Sequence, residues 1–180
     1  MNLWELPVLY WIREHLTCPW LDWLMPTVSA LSAHGEIWIL LAAVLVCIPK
    51  TRRVGLTMGV TLLLGFVIGN VGLKNIVARV RPYDVATDVT LLVERLHDFA
   101  FPSGHTLASF GAATALTLYH RRWGTAALVL AAAIGFSRLY LFVHYPTDVA
   151  AGALLGVALA FGARYLVDRM WRLSASKKIQ

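Results

Sequence analysis

The chain has 180 residues, of which 58% are hydrophobic and only 14% are charged, with a mean hydropathy of +0.65. Soluble domains have roughly 45–50% apolar and about 25% charged residues, so this composition excludes an ordinary soluble enzyme and a disordered chain. The net charge is +6, but the basic residues lie between apolar stretches and not on one solvated face, which argues against a nucleic-acid partner. We therefore expect one membrane-embedded domain over residues 1–180, with membrane lipids as its surroundings.

Residues 1–17 are predicted to form a helix that lies in the membrane interface. Aromatic residues such as Trp4 and Trp11 are mixed there with charged residues such as Glu5 and Arg13. A signal peptide would carry positive charge before its apolar region, and this segment does not. The alternative is a helix that packs on the membrane spans as a cover, because both environments use the same residue types.

Six stretches are apolar enough to be read as membrane spans, each of which needs ~20 mostly apolar residues. Gly55–Leu73, with 19 uncharged residues, is the clearest. The others are long enough if polar residues at their ends face other helices. They are Trp20–Ala33, Glu36–Pro49, Thr106–Tyr119, Trp123–Ser137 and Val149–Ala163. The sequence therefore predicts an all-α, six-helix transmembrane bundle with an N-terminal interfacial helix.

Basic residues mark the loops after the second and fourth predicted spans and the C-terminal tail. They are Lys50, Arg52, Arg53, Arg121, Arg122, Arg169, Arg172, Lys177 and Lys178. If six spans alternate, these residues share one side, which the positive-inside tendency makes cytoplasmic. We expect a multi-pass protein of a bacterial inner membrane with both termini in the cytoplasm and the 82–101 connection outside it.

Two cations lie at the end of the third predicted span. Lys74 and Arg81 are seven residues apart, which returns them to one face of a helix, about 10 Å apart along its axis. Because like charges repel, the pair predicts an anion between them; the alternative is that both side chains snorkel to lipid headgroups. Pro82 is predicted to end the helix. Arg79 points away from the pair and fits the snorkelling role.

The segment Pro102-Ser103-Gly104-His105 opens the fourth predicted span. Ser103 is a candidate helix cap, and the free N–H groups of a first helical turn bind anions. Gly104 allows an anion to approach the backbone, and His105 is predicted to point towards whatever binds there. The alternative is an ordinary cap beside an incidental histidine.

A third group of polar residues spans the turn between the last two predicted helices. Arg138 ends the fifth span, and His144 and Asp148 flank Pro146, which is well suited to the first turn of the sixth helix. A carboxylate beside an imidazole fixes its tautomer and raises its basicity. Alternatively, Asp148 is only a favourable negative charge at a helix N-terminus.

By the predicted span order, all these groups fall on one membrane face. Three cations, a helix N-terminus and two histidines fit phosphoryl transfer, which needs neutralised oxygens, an in-line nucleophile and a proton for the leaving group. No carboxylate cluster of Mg²⁺-binding character lies near these helix ends. The cations are therefore predicted to replace a metal, with no cofactor, and a histidine nucleophile with a second histidine as general acid is consistent with this.

Three motifs in this chain resemble the signature of the type 2 phosphatidic acid phosphatase (PAP2) superfamily, which is shared with vanadium-dependent haloperoxidases. They are Lys74-x6-Arg81-Pro82, Pro102-Ser103-Gly104-His105 and Ser137-Arg138-x5-His144-x3-Asp148. All three occur in order and at family spacing across residues 74–148. The resemblance implies a single PAP2-type domain that works without a metal.

The resemblance also implies a role for each motif residue. His144 would be the nucleophile that forms a phosphohistidine, Asp148 would orient it, and His105 would protonate the leaving group. The phosphate oxygens would be held by Lys74, Arg81, Ser103, Gly104 and Arg138.

The expected substrate is a lipid phosphate whose head lies on the extracytoplasmic face. Undecaprenyl diphosphate is favoured, and phosphatidylglycerol phosphate or phosphatidate is the alternative. A haloperoxidase is disfavoured because those relatives are soluble. A non-enzymatic lipid-phosphate binder is disfavoured because binding alone needs no pair of acid and nucleophile. The 82–101 connection either tunes headgroup choice or is a solvated loop.

Overall fold

The computed structural model describes residues 4–176, and within that range the chain is helical without any strand. The α-helices in that part of the chain are α1 (Glu5–Leu16), α2 (Pro19–Ala30), α3 (Glu36–Cys47), α4 (Arg52–Gly65), α5 (Lys74–Val77), α6 (Pro82–Val85), α7 (Gly104–Thr117), α8 (Arg121–Tyr140) and α9 (Pro146–Ser176). A π-helical segment, Phe66–Leu73, joins α4 to α5. The predicted all-α fold class is confirmed.

Within residues 4–176, three helical stretches are long and apolar enough to cross a membrane: Arg52–Val85, Arg121–Tyr140 and Pro146–Ser174. α3 is apolar but shorter, and it packs along α4, while α7 packs against α4, α8 and α9. These helices run side by side between two ends of one bundle. The protein is therefore an integral membrane helix bundle.

The two ends of the bundle differ in charge. At the end that we name the basic end, Arg53 Nη2 donates to Asp168 Oδ1 at 2.5 Å and Tyr119 Oη donates to the same oxygen at 3.2 Å. We name the opposite end of the bundle the site end. There the Ser103 N–H donates to the Asp148 carbonyl at 3.1 Å. The starts of α7 and α9 therefore meet at the site end. The basic end carries Lys50, Arg52, Arg121, Arg122 and Arg169.

The first predicted span, Trp20–Ala33, does not run between the two ends. α2 has 12 residues and is about 18 Å long, which is short of the ~30 Å hydrocarbon core. Its Asp22 accepts a hydrogen bond from Tyr140 Oη at 2.6 Å, and its Ser29 hydroxyl contacts Arg138, so both halves of α2 lie beside the end of α8. The described helices therefore do not confirm the prediction of six spans, and the placement of both termini on one side of the membrane stays a prediction. α1 and α2 lie at the site end, whereas α9 ends at the basic end.

α1 covers the site end of the bundle. Its Leu9 and Ile12 are buried in a core that includes Phe142, whereas Trp4 and Trp11 are each 53% exposed. The helix thus packs on the bundle as a cover and keeps an outer aromatic face that suits a membrane interface. Its placement in that interface stays a prediction.

Close packing of α7 on α9 brings the two helix starts together. A Cβ atom on Gly152 would lie 2.7 Å from the Ser103 carbonyl oxygen, and one on Gly156 would lie 2.5 Å from the Leu107 carbonyl oxygen. Small residues let two backbones approach this closely. The start of α7 and the side chain of Asp148 are therefore held near each other by backbone contact.

We expect the two native cysteines to react with a thiol reagent from opposite sides of the membrane. Both are free and exposed; Cys18 precedes α2 at the site end, and Cys47 ends α3 at the basic end. The variants Cys18→Ser and Cys47→Ser leave one thiol each, which an impermeant maleimide can report in intact cells and in inverted vesicles. Six spans would place both thiols on one side, so labelling of both from the same side would contradict the arrangement described above.

Candidate active site

The chain turns sharply between the first two cations predicted for the site. α5 ends at Val77, and Ala78 has a φ of 46°, a left-handed conformation that is uncommon for residues other than glycine. Lys74 and Arg81 are therefore not on one continuous helix, as their spacing predicts. Pro82 begins α6 and does not end the span. The two cations are brought together by the turn and by a shared partner.

That partner is the carboxylate of Asp98. Its Oδ1 accepts a hydrogen bond from Arg81 Nη2 at 2.5 Å, and its Oδ2 pairs with Lys74 Nζ. Only 7% of Lys74 and 2% of Arg81 are exposed. Desolvation acts to raise the pKa of Asp98, but the hydrogen bonds and charges of Lys74 and Arg81 outweigh it and lower the pKa to about 2. The anion between the two cations is thus a side chain of the protein.

His144 is buried and presents its two ring nitrogens to different partners. Nδ1 lies 3.6 Å from Asp148 Oδ2, and Nε2 lies 3.4 Å from Arg81 Nη1. Asp148 Oδ2 also accepts the Tyr145 backbone N–H at 2.8 Å. Arg81 Nη1 donates to the Val143 carbonyl at 2.7 Å, which fixes the guanidinium beside the imidazole. One nitrogen therefore faces a carboxylate and the other faces a cation.

The start of α7 faces the same space. His105 lies in its first turn, and His105, Gly104 and His144 line one cavity. Ser103 is the N-cap residue, as predicted, but its hydroxyl makes no cap bond and instead accepts a hydrogen bond from Thr106 Oγ1 at 2.9 Å. Both imidazoles of the predicted site thus border the space where an anion would bind.

Arg138 enters the site from the end of α8, and only 3% of it is exposed. Its Nη1 contacts the Ser29 hydroxyl of α2. Its Nε is buried and has no hydrogen-bond partner in the part of the chain that the structure describes. Leaving a buried charged donor unsatisfied is costly. Arg138 therefore keeps a donor that a bound phosphate can satisfy.

A cavity of about 1090 Å³ joins the site to the groove between α3 and α4. At the site end it is lined by Asn70, Lys74, Gly104, His105 and His144. Further along, its walls are apolar and include Ile39, Val46, Leu56, Leu63 and Phe66. The Oδ1 atom of Asn70 is buried without a hydrogen-bond partner among the described residues. π-Helical segments such as the one that carries Asn70 often occur at functional sites.

Arg79 faces the interior of the site end and not lipid. Its Nη1 donates to Asp148 Oδ1 at 2.6 Å, and its Nη2 donates to Glu5 Oε2 at 2.5 Å. The interpretation of Arg79 as a snorkelling residue is wrong, because the left-handed Ala78 ends the helix and redirects the chain.

The eight residues predicted for the site meet at the site end from four parts of the chain. Lys74 and Arg81 come from α5 and the turn after it, Ser103, Gly104 and His105 from the start of α7, Arg138 from α8, and His144 and Asp148 from the start of α9. Four polar residues of the site were missed: Glu5, Asn70, Arg79 and Asp98. Their spacing carries no signal, since Asn70, Arg79 and Asp98 reach motif residues only through the tertiary fold. Glu5 reaches the motif residue Asp148 only indirectly, through Arg79.

A family model described as PAP2 superfamily matches residues 51–172. That match covers α4 to the C-terminal part of α9 and contains all eight predicted site residues. The chain belongs to the PAP2 superfamily. This membership is consistent with a membrane-embedded hydrolase of phosphoric esters, and the resemblance drawn from the three motifs is confirmed.

Similar proteins agree with this membership. An undecaprenyl-diphosphatase of Sulfolobus acidocaldarius is 34% identical over 134 residues, which are 73% of this chain and 65% of that protein, just under two thirds of its length. The crystal structure of Aquifex aeolicus LpxE has a TM-score of 0.79 at 28% identity, covering 89% of this chain and 94% of that one. A PAP2-type phosphatidylglycerolphosphate phosphatase from Bacillus subtilis has a TM-score of 0.73 at 27% identity, covering 91% and 84%.

We expect the Asp98→Asn variant of this PAP2 protein to be inhibited by inorganic phosphate at several-fold lower concentration, because the Asp98 carboxylate would compete with phosphate for Lys74 and Arg81. A pKa of about 2 keeps Asp98 ionised above that pH, so the ratio of the two inhibition constants should stay constant between about pH 5 and pH 8. The measurement is hydrolysis of a lipid phosphate in detergent at increasing phosphate concentrations.

The matched control for this variant is Asp84→Asn. It removes a partly exposed carboxylate that lies 3.6 Å from Arg95 Nη1 and should leave phosphate inhibition unchanged. Weaker inhibition in Asp98→Asn would show that Asp98 assists phosphate binding and does not compete with it.

Proposed function

We propose that this phosphatase removes the terminal phosphate of undecaprenyl diphosphate through a phosphohistidine on His144. The orientation of His144 carries the proposal: Nδ1 faces Asp148 at 3.6 Å, and Nε2 lies 3.4 Å from Arg81 Nη1. An imidazole with its proton on Nδ1 has a lone pair on Nε2, which is then free to attack. A nucleophile beside a cation, with a third group to orient it, is the arrangement that covalent catalysis needs.

In the first step, Nε2 of His144 forms a bond to phosphorus while the bond between phosphorus and the leaving oxygen breaks. His105 gives its proton to that oxygen, so undecaprenyl phosphate leaves as a stable product. Asp148 stabilises the positive charge that the phosphorylated imidazole carries. In the second step, water attacks phosphorus, His105 takes a proton from the water, and the phosphorus–nitrogen bond breaks to release phosphate and restore His144.

The transferring phosphoryl group needs its oxygens neutralised at each step. Lys74, Arg81 and Arg138 supply three buried positive charges, and the Nε donor of Arg138 is free for an oxygen. The hydroxyl of Ser103 and the N–H of Gly104 complete the proposed cradle at the start of α7. These groups provide the charge stabilisation that a bound metal provides in other phosphatases, and we propose no metal or cofactor.

The groove between α3 and α4 supports a lipid substrate with a long tail. A Cβ atom on Gly55 would lie 2.6 Å from the Ala42 carbonyl oxygen, so the two helices touch there, whereas one on Gly59 would meet nothing within 4 Å. The helices therefore separate from Gly59 towards the site. Gly55 and Lys74 are 19 residues apart in sequence, a separation of about 28 Å along a helix, which accommodates a long hydrocarbon chain with its phosphate at the site.

The charge distribution supports a site on the extracytoplasmic face. Lysine and arginine of the loops are concentrated at the basic end, and such residues favour the cytoplasm. The site end would then face outwards, with α1 at the outer surface and the end of α9 in the cytoplasm.

Phosphatidylglycerol phosphate, or phosphatidate, is a second candidate substrate, favoured by the likeness to the phosphatase from Bacillus subtilis. It would place its phosphate at the same cations and its tails in the same groove. The two candidates differ in the leaving group, which is a lipid phosphate in one and a lipid alcohol in the other.

We expect the purified protein to release phosphate from undecaprenyl diphosphate faster than from phosphatidylglycerol phosphate or phosphatidic acid when the three are compared in one detergent. His144→Ala should lose at least about 1,000-fold in kcat because it removes the nucleophile, and EDTA should leave the rate unchanged. His120→Ala, which removes an exposed histidine at the basic end, is the control. Turnover by His144→Ala near the unchanged rate would reject the phosphohistidine step, and a preference for phosphatidylglycerol phosphate would support the second candidate.

We expect Gly59→Leu to impair hydrolysis of long-chain lipid phosphates about tenfold or more, because a Cβ atom at Gly59 meets nothing within 4 Å and Gly59 lines the groove that the new side chain would enter. Hydrolysis of a water-soluble, short-chain phosphate ester should stay unchanged. Gly162→Leu is the matched control, since a Cβ atom there also meets nothing within 4 Å but Gly162 lies outside the groove. Equal loss on both kinds of substrate would show that the groove does not hold the tail.

A further inference from the structure

Glu5 is a fully buried carboxylate at the start of α1, with 0% of it exposed. The proposed reaction does not use it. Its Oε2 accepts a hydrogen bond from Arg79 Nη2 at 2.5 Å, and its Oε1 accepts one from Thr147 Oγ1 at 2.6 Å. A carboxylate is rarely buried completely unless it is paired in this way. The contacts of Glu5 are therefore specific, and all of them lead to the start of α9.

The first connection joins Glu5 to Thr147. It is the second residue of α9, so its backbone N–H has no partner within the helix. Glu5 Oε1 accepts that N–H at 3.1 Å and places a negative charge at the positive end of the helix dipole. Glu5 thus caps α9 from another helix and fixes the turn from which Asp148 projects.

The second connection joins Glu5 to Asp148 through Arg79. Its Nη1 donates to Asp148 Oδ1 at 2.6 Å and to Thr147 Oγ1 at 2.7 Å, while its guanidinium lies 4.0 Å from the centre of the Tyr145 ring. The other oxygen of Asp148, Oδ2, faces His144 Nδ1. Glu5, Arg79, Asp148 and His144 therefore form a continuous series in which negative and positive groups alternate once the imidazole is phosphorylated.

The series has an electrostatic consequence. Arg79 alone would hold Asp148 in place but would also neutralise its carboxylate. Because Glu5 binds the other amino group of the same guanidinium, the charge of Arg79 is shared, and Asp148 keeps negative charge towards His144. These effects are strong because the carboxylates of Glu5 and Asp148 are shielded from water.

We propose that Glu5 is a positioning residue of the catalytic apparatus. Acting through Arg79 and Thr147, it holds Asp148 against His144 and preserves the charge that stabilises the phosphorylated imidazole. The inference rests on the proposed function of His144 as nucleophile. It makes α1, which has no residue in the three motifs, part of the machinery of the site.

The test compares Glu5→Gln with Glu14→Gln, which removes an exposed carboxylate from the same helix. Glu5→Gln is expected to lower kcat about tenfold or more while KM stays within about twofold, and Glu14→Gln is expected to change neither. Inhibition by inorganic phosphate should be unchanged in Glu5→Gln, because Glu5 does not contact the cations of the cradle. Inhibition by orthovanadate, which adopts the five-coordinate geometry of the reacting phosphoryl group, should weaken by about the same factor as kcat.

If Glu5 had only a structural role, Glu5→Gln would lower the unfolding temperature without lowering kcat selectively over KM. An unchanged kcat in folded Glu5→Gln would overturn the proposal. If Glu5→Gln does not fold, the double variant Glu5→Gln with Arg79→Gln removes both buried charges, and an unchanged kcat in it would overturn the proposal equally. A His144→Ala control separates the two ideas. If His144→Ala is active, the assignment of His144 as the nucleophile is rejected. If His144→Ala is inactive and Glu5→Gln has an unchanged kcat, only the positioning role of Glu5 is rejected.

Discussion

The mutual neutralisation of buried charges is the constraint on which the site end of this bundle depends. Each ion that is buried without a partner costs several kcal/mol, and this group lies in an apolar protein. The described residues of the group are the cations Lys74, Arg79, Arg81 and Arg138, the fully buried carboxylates Glu5 and Asp148, and Asp98, whose side chain is 52% exposed. Each of these carboxylates lies against at least one cation, and one positive charge is left over. A phosphate that displaces Asp98 would meet two uncompensated positive charges, which match a phosphate dianion.

The two short helices before the bundle, α1 and α2, contribute polar groups to the site end. α1 and α2 lie across the site end, where α1 contributes Glu5 and α2 contributes the Ser29 hydroxyl that contacts Arg138. Both contacts reach charged groups of the site end, Arg79 and Arg138. The N-terminal segment therefore completes the polar interior of the site and also shields it with Leu9 and Ile12.

The same fold accommodates two chemically opposite halves of the proposed substrate. Charged groups gather where α7 and α9 begin, and the apolar groove between α3 and α4 opens from that point towards the basic end. The contact at Gly55 closes the groove at its far end, and the open space at Gly59 keeps it wide nearer the site. A lipid phosphate is the kind of molecule that fits both, because its head needs cations and its tail needs a surface without water.

The sequence by itself determined the membrane class, the all-α fold and the residues of the three motifs. Composition and hydropathy are properties of single segments, and the motif residues are close enough along the chain to reveal the PAP2 signature. Only the tertiary structure decided that α2 lies across the site end, that Ala78 turns the chain between Lys74 and Arg81, and that Asp98 sits between those cations. It also decided the pairing of Glu5 with Arg79 and Thr147, which are 74 and 142 residues away in sequence. Such contacts leave no local pattern, because a buried charge is satisfied by whichever partner the fold brings within hydrogen-bond distance.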